Sequence, residues 1–180
     1  LRPAPQQGVD FLARRKKKYL KELEAFCSKF ISPPGDILFA CGAGLSLACV
    51  DAYGMVQLCM DLRHPQTVYD LKKGSLKEAV AQFFPEVRKI KAKNRDYLAR
   101  CAQCFLKGLC EQCPARSWAE HGTLDTPVDY YCEIAHTEAR VLGLLQEEEK
   151  AWEVLDWKER VKNLSDKESE TASRRRASWR

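Results

Sequence analysis

The feature that most constrains this chain is a run of four cysteines between residues 101 and 113, spaced Cys-x2-Cys-x5-Cys-x2-Cys. A two-residue gap lets one tight turn direct both sulfurs at a single metal, and the repeated gap supplies four soft ligands within a short segment. Turn-forming and charged residues separate the cysteines, so the four cannot share a regular apolar face. The run therefore predicts a metal or cluster site. Its members are Cys101, Cys104, Cys110 and Cys113.

The cysteine count indicates reduced thiols. The chain has nine cysteines, an odd number, and shows no secretory signal, which argues against a disulfide framework and for a cytoplasmic protein. Cys27 falls beside the apolar stripe of a predicted helix and is interpreted as a core residue. The remaining eight cysteines match two four-thiolate sites, and both two Zn²⁺ ions and two [4Fe-4S] clusters satisfy that number.

Length and charge set broad limits. At 180 residues the chain suffices for one small domain with helical flanks. No apolar run reaches the roughly 18 residues that span a bilayer, so we expect no membrane partner. The net charge of +5 comes largely from basic runs at 14–18 and 174–176, and the first is interpreted as a solvated helix face rather than a nucleic-acid interface. The abrupt start at Leu1 favours a fragment of a longer protein, and a stand-alone binding or electron-transfer partner is the alternative.

Two β-segments lead to cysteines. Period-two alternation at 36–40 predicts a short strand that delivers Cys41. Residues 45–58 predict a hairpin whose turn requires Gly54 at positive φ and whose second strand delivers Cys59.

The register of this hairpin decides the position of Cys49. If Gly54 forms a bulge after a type I turn, Cys49 lies opposite Gln57 and on the same face as Cys59, where it can act as a ligand. Without the bulge, Cys49 shares the other face with Val56 and belongs to the core. The sequence leaves both registers open.

Helices are predicted on both sides of the β-segments. Ser75 and Glu78 form a capping box at the start of one helix, and Pro85 suits the first turn of the next, whose end presents Cys101. The predicted ranges are 9–30, 75 to about 84, 85 to about 98, a helix following Cys132, and 146–162, with a disordered tail over 163–180. The predicted fold class is α+β, a small cysteine-rich domain with a β-hairpin and metal-binding loops, flanked by α-helices.

Cys132 is a candidate metal ligand, and the sequence indicates no catalytic group beside it. A thiolate at a helix N-terminus is favoured by the helix dipole and the free amides, which suits Cys132 as a ligand. His136 follows one turn later and is interpreted as a partly buried hydrogen-bonding residue. No phosphate-binding loop, Ser-His-Asp arrangement or carboxylate pair stands out, so catalysis by this chain alone is not indicated.

The order and context of the cysteines resemble the SPASM domain, which is found at the C-terminal end of many radical S-adenosylmethionine (SAM) enzymes. The resemblance covers roughly residues 36–145. It is carried by Cys41-x12-Gly54-x4-Cys59, by the quartet followed by Pro114-Ala115, by Cys132 with Glu133 and His136, and by Gly42-Ala43-Gly44.

The resemblance implies two auxiliary [4Fe-4S] clusters with interleaved ligands. The first would take Cys41, Cys59 and Cys113, and the second Cys101, Cys104, Cys110 and Cys132. The fourth position of the first cluster stays open between Cys49 and an iron accessible to substrate. The last gap of the quartet has two residues where the family usually has three, which bears on the role of Cys113.

The resemblance also implies what this chain does not do. The family binds S-adenosylmethionine through a Cys-x3-Cys-x2-Cys motif that is absent here, so we expect a non-catalytic C-terminal portion, with residues 1–35 as the end of the barrel and a linker. The implied roles are electron transfer and substrate binding. The implied partners are a peptide or protein substrate, the radical SAM core in the same protein or in trans, and a redox donor such as flavodoxin or ferredoxin. The rival interpretation is a zinc-binding structural or protein-interaction module with no redox role.

Overall fold

The computed structural model describes residues 2–13, 35–110 and 112–163, and these fall into two compact units. The hairpin unit comprises residues 35–102 and 112–128. The terminal unit comprises residues 2–13, 103–110 and 129–163. Helices and a small antiparallel sheet make this an α+β protein.

The sheet of the hairpin unit has the order β1-β2-β3, with β1 at Cys49–Val50, β2 at Met55–Gln57 and β3 at Val68–Asp70. The predicted turn forms, because the Gly54 N–H donates to the Asp51 carbonyl at 3.1 Å and Gly54 has a φ of 82°. Cys49 pairs with Gln57. The bulged register is therefore the correct one.

The predicted strand at 36–40 is wrong. In place of a strand pairing, this segment forms an isolated bridge between Ile37 and Lys91 and hydrogen bonds to residues 90 and 92. Leu38 and Phe39 are both buried, at 6% and 2% exposure, so the alternation of a half-buried strand is absent. The hairpin is also shorter than predicted, because residues 42–47 form a separate tight turn.

The capping box is confirmed: the Ser75 hydroxyl accepts from the Glu78 N–H, and the Glu78 carboxylate accepts from the Ser75 N–H at 2.7 Å. The helix that it starts, α2, comprises Leu76–Glu78, a π-helical stretch at Ala79–Phe83, and Phe84–Arg88.

The separate helix predicted from Pro85 to about Leu98 is wrong. Pro85 lies inside α2, just after the π-helical stretch, whose widened hydrogen bonding tolerates a missing N–H. The chain then leaves the helix so that the Ala92 N–H can donate to the Asp36 carbonyl at 2.8 Å. Asn94 starts a second helical segment, which ends in the π-helical stretch Tyr97–Cys101.

The hairpin unit also contains α3, Pro114–His121, and the loop that follows it. Gly122 caps this helix with a φ of 67°, and its N–H donates to the Trp118 carbonyl. The core of the unit is apolar and fully enclosed. Its most buried members are Val56, Leu58, Leu62, Ala79 and Phe84.

The terminal unit packs α1, Pro5–Ala13, with α4, Asp129–Val141. The helix predicted to follow Cys132 begins earlier, at Asp129, so Cys132 lies within its first turn rather than before it. Phe105, Leu106 and Leu144 lie in the core of this unit, and the Phe105 ring stacks on the Trp157 ring at 5.8 Å.

The predicted helix at 146–162 is helical only from 157 onward, and residues 146–156 form turns. The reason is an ion pair that closes this segment. Arg160 binds both carboxylate oxygens of Glu149 at 2.5 and 2.9 Å and also donates to the Leu144 carbonyl at 3.2 Å. The Arg160 guanidinium lowers the pKa of Glu149 to about 2.

Several predictions lie outside the described residues. These are most of the helix at 9–30, of which 9–13 is described as helix, together with Cys27, both basic runs and the tail after 163. Within the described ranges, no helix combines the length and apolar character needed to cross a membrane.

Candidate metal centre

Cys59 is the predicted ligand whose surroundings the structure describes in most detail. Its side chain is half-buried, and its sulfur accepts hydrogen bonds from the backbone N–H groups of Asp61 and Leu62. Burial raises the pKa of the Cys59 thiol, these two amides lower it, and the negative charges of Asp61 and Cys113 raise it again. The two amides stabilise a thiolate at Cys59, whereas desolvation and the neighbouring acidic groups disfavour it, and a bound cation would remove that penalty.

Cys113 lies close enough to Cys59 for the two thiols to interact electrostatically. Cys113 is the N-cap residue of α3 and has an extended backbone. Trp118, five residues later, packs edge-on against the His64 ring with the ring centroids 4.5 Å apart. Since His64 follows Cys59 by five residues, this aromatic contact joins the two segments that carry the paired thiols.

Cys41 lies in a loop that is held by the side chain of Arg88. The guanidinium donates to the carbonyls of Phe39 at 2.9 Å and Cys41 at 2.8 Å, and also to that of Ala43. Among the described residues, Arg88 has no carboxylate partner. Within the described ranges, the loop backbone therefore receives the hydrogen bonds of this half-buried cation.

The same loop packs against the strand that leads to Cys59. The Gly44 N–H donates to the Leu58 carbonyl at 3.1 Å, and Gly44 has a φ of 70°. A β-carbon at Gly44 would lie 3.0 Å from two side-chain atoms of Leu58. The glycine thus allows the loop to approach the strand closely, next to Cys59 in the sequence.

Cys49 is half-buried opposite Gln57. Gln57 is 2% exposed, and its carboxamide oxygen Oε1 has no hydrogen-bond partner among the described residues. The register confirms the pairing of Cys49 with Gln57 that the ligand hypothesis required. Its role as a ligand stays a prediction.

The four cysteines assigned by resemblance to the second cluster are distributed over both units. Cys101 is the last residue of the π-helical stretch Tyr97–Cys101 and packs against the core of the hairpin unit. Cys104 is a buried member of the terminal-unit core, and Cys110 packs against that core. The short 3₁₀ helix Phe105–Gly108 separates Cys104 from Cys110.

Cys132 shares a hydrogen-bond network with His136. His136 is 5% exposed, and its Nδ1 lies 2.8 Å from the Cys132 carbonyl and 3.6 Å from the Cys132 sulfur. The other ring nitrogen, Nε2, accepts from the Ala151 N–H at 3.1 Å, so Nδ1 carries the proton and donates toward Cys132. This confirms His136 as a buried hydrogen-bonding residue, and its Nε2 is already engaged.

The donor chemistry of the hairpin unit fits a thiolate-bound metal or cluster. None of the eight cysteines in the described ranges forms a disulfide, and Cys59 has the amide donors that thiolate ligands commonly receive. The complete set of ligands is not assembled, since in the part of the chain that the structure describes no group of three or more His, Cys, Asp or Glu side chains is arranged as a metal site. The fit therefore rests on the pair Cys59 and Cys113.

Sequence reasoning missed Arg88, Gln57 and the contact between His64 and Trp118. Arg88 is one of many basic residues in a helix and carries no pattern of its own. Gln57 did leave a signal, because it is a polar residue between Val56 and Leu58 in a strand that the hairpin turn had already located.

Comparisons with protein-family models, curated proteins and solved structures yield no match to this chain. The fold and the site thus define the chain as a cysteine-rich α+β protein. A narrower assignment rests on its own residues and on the order of its cysteines.

Proposed function

We propose that this chain binds two auxiliary [4Fe-4S] clusters as the SPASM-like portion of a radical SAM enzyme that modifies a peptide or protein. The first cluster would take Cys41, Cys59 and Cys113, with Cys49 as a further candidate. The second would take Cys101, Cys104, Cys110 and Cys132.

The observation that supports this proposal most is the state of Cys59. Two backbone amides donate to its sulfur and the thiol of Cys113 lies close by, although 54 positions separate the two cysteines in the sequence. Hydrogen bonds from amides to sulfur are a main means by which proteins set the stability and potential of thiolate-bound clusters. Their occurrence at a predicted ligand favours a metal-binding role over a core role.

When bound, such clusters supply one-electron transfer. The residues of this chain would hold the cluster, limit its solvent exposure and donate hydrogen bonds to its sulfurs. Arg88 would hold the Cys41 loop in place, and the His64–Trp118 contact would keep the segments of Cys59 and Cys113 together. Cleavage of S-adenosylmethionine would need a radical SAM core, in the same protein or in trans, and the electrons would come from a donor such as flavodoxin or ferredoxin.

Single substitutions test the division into two sites. We expect Cys59→Ser and Cys113→Ser each to remove the iron of one cluster, about four of eight atoms, and Cys104→Ser and Cys132→Ser to remove the other half. The matched control is Cys27→Ser, which should retain all the iron. Iron and sulfide are measured on protein reconstituted without oxygen.

Two results would contradict the proposal. One is full iron content in both Cys59→Ser and Cys104→Ser. The other is a protein that takes up about two zinc ions and no sulfide, which would instead support the structural zinc module.

A further inference from the structure

His136 is a buried histidine whose two ring nitrogens have different partners. The residue is 5% exposed. Its Nε2 accepts from the Ala151 N–H at 3.1 Å, and because a backbone N–H can only donate, the proton of the neutral ring is on Nδ1. Nδ1 lies 2.8 Å from the Cys132 carbonyl oxygen and 3.6 Å from the Cys132 sulfur. The ring therefore directs its N–H at the backbone and the thiol of Cys132.

The orientation of this ring is fixed by a segment near the end of the described chain. Ala151 is 1% exposed, and Arg160 closes the turns around it by binding both carboxylate oxygens of Glu149. The Trp152 ring packs edge-on against the His136 ring, with the ring centroids 5.3 Å apart. The imidazole is therefore held in one orientation and one tautomer.

The helix that carries Cys132 packs against the segment between two further predicted ligands. α4 contacts the 3₁₀ helix Phe105–Gly108, which separates Cys104 from Cys110. Cys104 is buried in the same apolar core as Ala135 of α4. The histidine thus lies in the unit that contains three of the four ligands proposed for the second cluster.

We propose that His136 is a positioning residue of the second cluster, which orients Cys132 through its Nδ1–H and stabilises the negative charge on the Cys132 sulfur. The inference rests on the proposed function, since it assumes that Cys132 is a ligand. Hydrogen bonds to sulfur are one of the means by which proteins set cluster potentials, and a donor favours the more negative, reduced state. The consequence is a higher reduction potential, which favours the acceptance of an electron from a substrate radical.

Two substitutions separate the functions of the two ring nitrogens. His136→Asn keeps an N–H near the position of Nδ1, because its carboxamide nitrogen is the same number of bonds from the backbone, but it lacks the acceptor for Ala151. His136→Gln keeps an acceptor near the position of Nε2 and loses the donor toward Cys132. The matched control is His121→Gln, at the exposed end of α3.

The reduction potential and the stability are measured separately. Each substitution is made in the full chain with Cys59→Ser, which should leave the second cluster alone, and with Cys104→Ser, which should leave the first cluster alone. The potentials come from redox titration of anaerobically reconstituted protein, followed by electron paramagnetic resonance. The midpoint of thermal unfolding is measured on the metal-free chain.

The proposal predicts that the two substitutions have opposite patterns. His136→Gln lowers the ratio of reduced to oxidised second cluster at a fixed potential by about tenfold, the order of one hydrogen bond, or about 59 mV for a one-electron couple. It leaves the unfolding midpoint nearly unchanged. His136→Asn retains the potential but lowers the unfolding midpoint by roughly 2 to 8 °C, because the buried Ala151 N–H loses its acceptor. The first cluster and the His121→Gln control are unaffected.

A purely structural role of His136 would give a different pattern. The proposal is overturned if neither substitution changes the potential, or if the potential falls in His136→Asn and not in His136→Gln. An equal shift in the potential of the first cluster contradicts it as well. The proposed function fails separately, when Cys132→Ser retains all the iron or when the protein takes up zinc and no sulfide. Either of those results removes the ligand on which His136 would act and overturns both proposals.

Discussion

At the scale of single residues, the candidate centre depends on side chains that are not themselves predicted ligands. Arg88 holds the loop of Cys41 by three backbone carbonyls, and His64 packs against the helix that begins after Cys113. Arg88 bonds the backbone at Cys41, and His64 contacts the helix that Cys113 caps. Each therefore makes a prediction that can be measured without any bound metal.

Replacing Arg88 by Met should lower the free energy of unfolding by roughly 2 to 3 kcal/mol, because hydrogen bonds from a charged donor to three carbonyls are lost. Amide hydrogen exchange should accelerate over residues 39–47. The measurements are urea unfolding and hydrogen exchange. Arg88→Lys should recover only part of the loss, since one ammonium cannot reproduce the planar fork.

Arg95→Met is the matched control for this experiment, because Arg95 is exposed. It should change the stability by no more than about 0.5 kcal/mol. An equal effect of the two substitutions would show that Arg88 does not hold the Cys41 loop.

His64 makes stability depend on pH. Burial lowers the pKa of His64, and its Nδ1 accepts from the Gln66 N–H at 3.2 Å, which requires the unprotonated form. The unfolded chain therefore takes up the proton first as the pH falls. The contribution of neutral His64 to the free energy of unfolding should be fully present above about pH 6.5. It should decrease as the pH falls below that value, until the folded histidine is protonated too.

His64→Asn keeps a capping oxygen but cannot titrate in this range. Between pH 7 and pH 5, the unfolding midpoint of the unaltered protein should fall more than the midpoint of this variant. His121→Asn, at the exposed end of α3, controls for the general loss of a histidine. Parallel profiles for the unaltered protein and His64→Asn would exclude His64 as the source of the pH dependence.

At the scale of elements, the turn at Gly44 determines how closely the Cys41 loop approaches β2. Gly44 and Gly122 have nearly the same backbone, with φ of 70° and 67°. A β-carbon at Gly44 would lie 3.0 Å from Leu58, whereas nothing lies within 4 Å of one at Gly122. Alanine substitutions at the two positions therefore separate the free-energy cost of backbone strain from the cost of overpacking.

Gly122→Ala should cost about 1 kcal/mol of unfolding free energy, from the left-handed backbone alone. Gly44→Ala should cost a further 1 to 3 kcal/mol, roughly, because the added methyl group overlaps the core residue Leu58. Chemical denaturation of both variants checks the difference. Equal losses at the two glycines would mean that the loop moves away from β2 without penalty.

The elements that could be predicted from the sequence are those that local signals define. The turn at Gly54 and the capping box at Ser75 depend on neighbours within a few residues, and both are confirmed. The strand predicted at 36–40 failed because its burial is decided by segments some fifty residues away. Pro85 is a typical signal for a helix start, and the π-helical stretch that accommodates it inside α2 leaves no signal in the sequence.

In the candidate site too, features set by nearby residues could be predicted, and features set by distant residues could not. Spacing identified the cysteines, and the hairpin register for Cys49 was one of two predicted alternatives. The partners that shape the site could not be predicted. Arg88 meets the Cys41 loop across 47 positions of sequence, and no local pattern encodes such a contact.

At the scale of the whole molecule, both units are assembled from separated segments. Residues 103–110, inside the predicted metal-binding domain, pack with the two ends of the described chain. The stacking of Phe105 on Trp157 and the buried Leu106 explain this packing. The cysteine quartet is thus distributed over both units, with Cys101 and Cys113 in one and Cys104 and Cys110 in the other.

The central claim is that these cysteines hold iron–sulfur clusters, and the most direct test is the metal and sulfide content of the full chain prepared without oxygen. Iron, acid-labile sulfide and zinc are measured on one sample, together with the absorption near 400 nm. The account predicts about eight iron and eight sulfide per chain, the sum of two four-iron clusters. A colourless protein with about two zinc ions and no sulfide would contradict it.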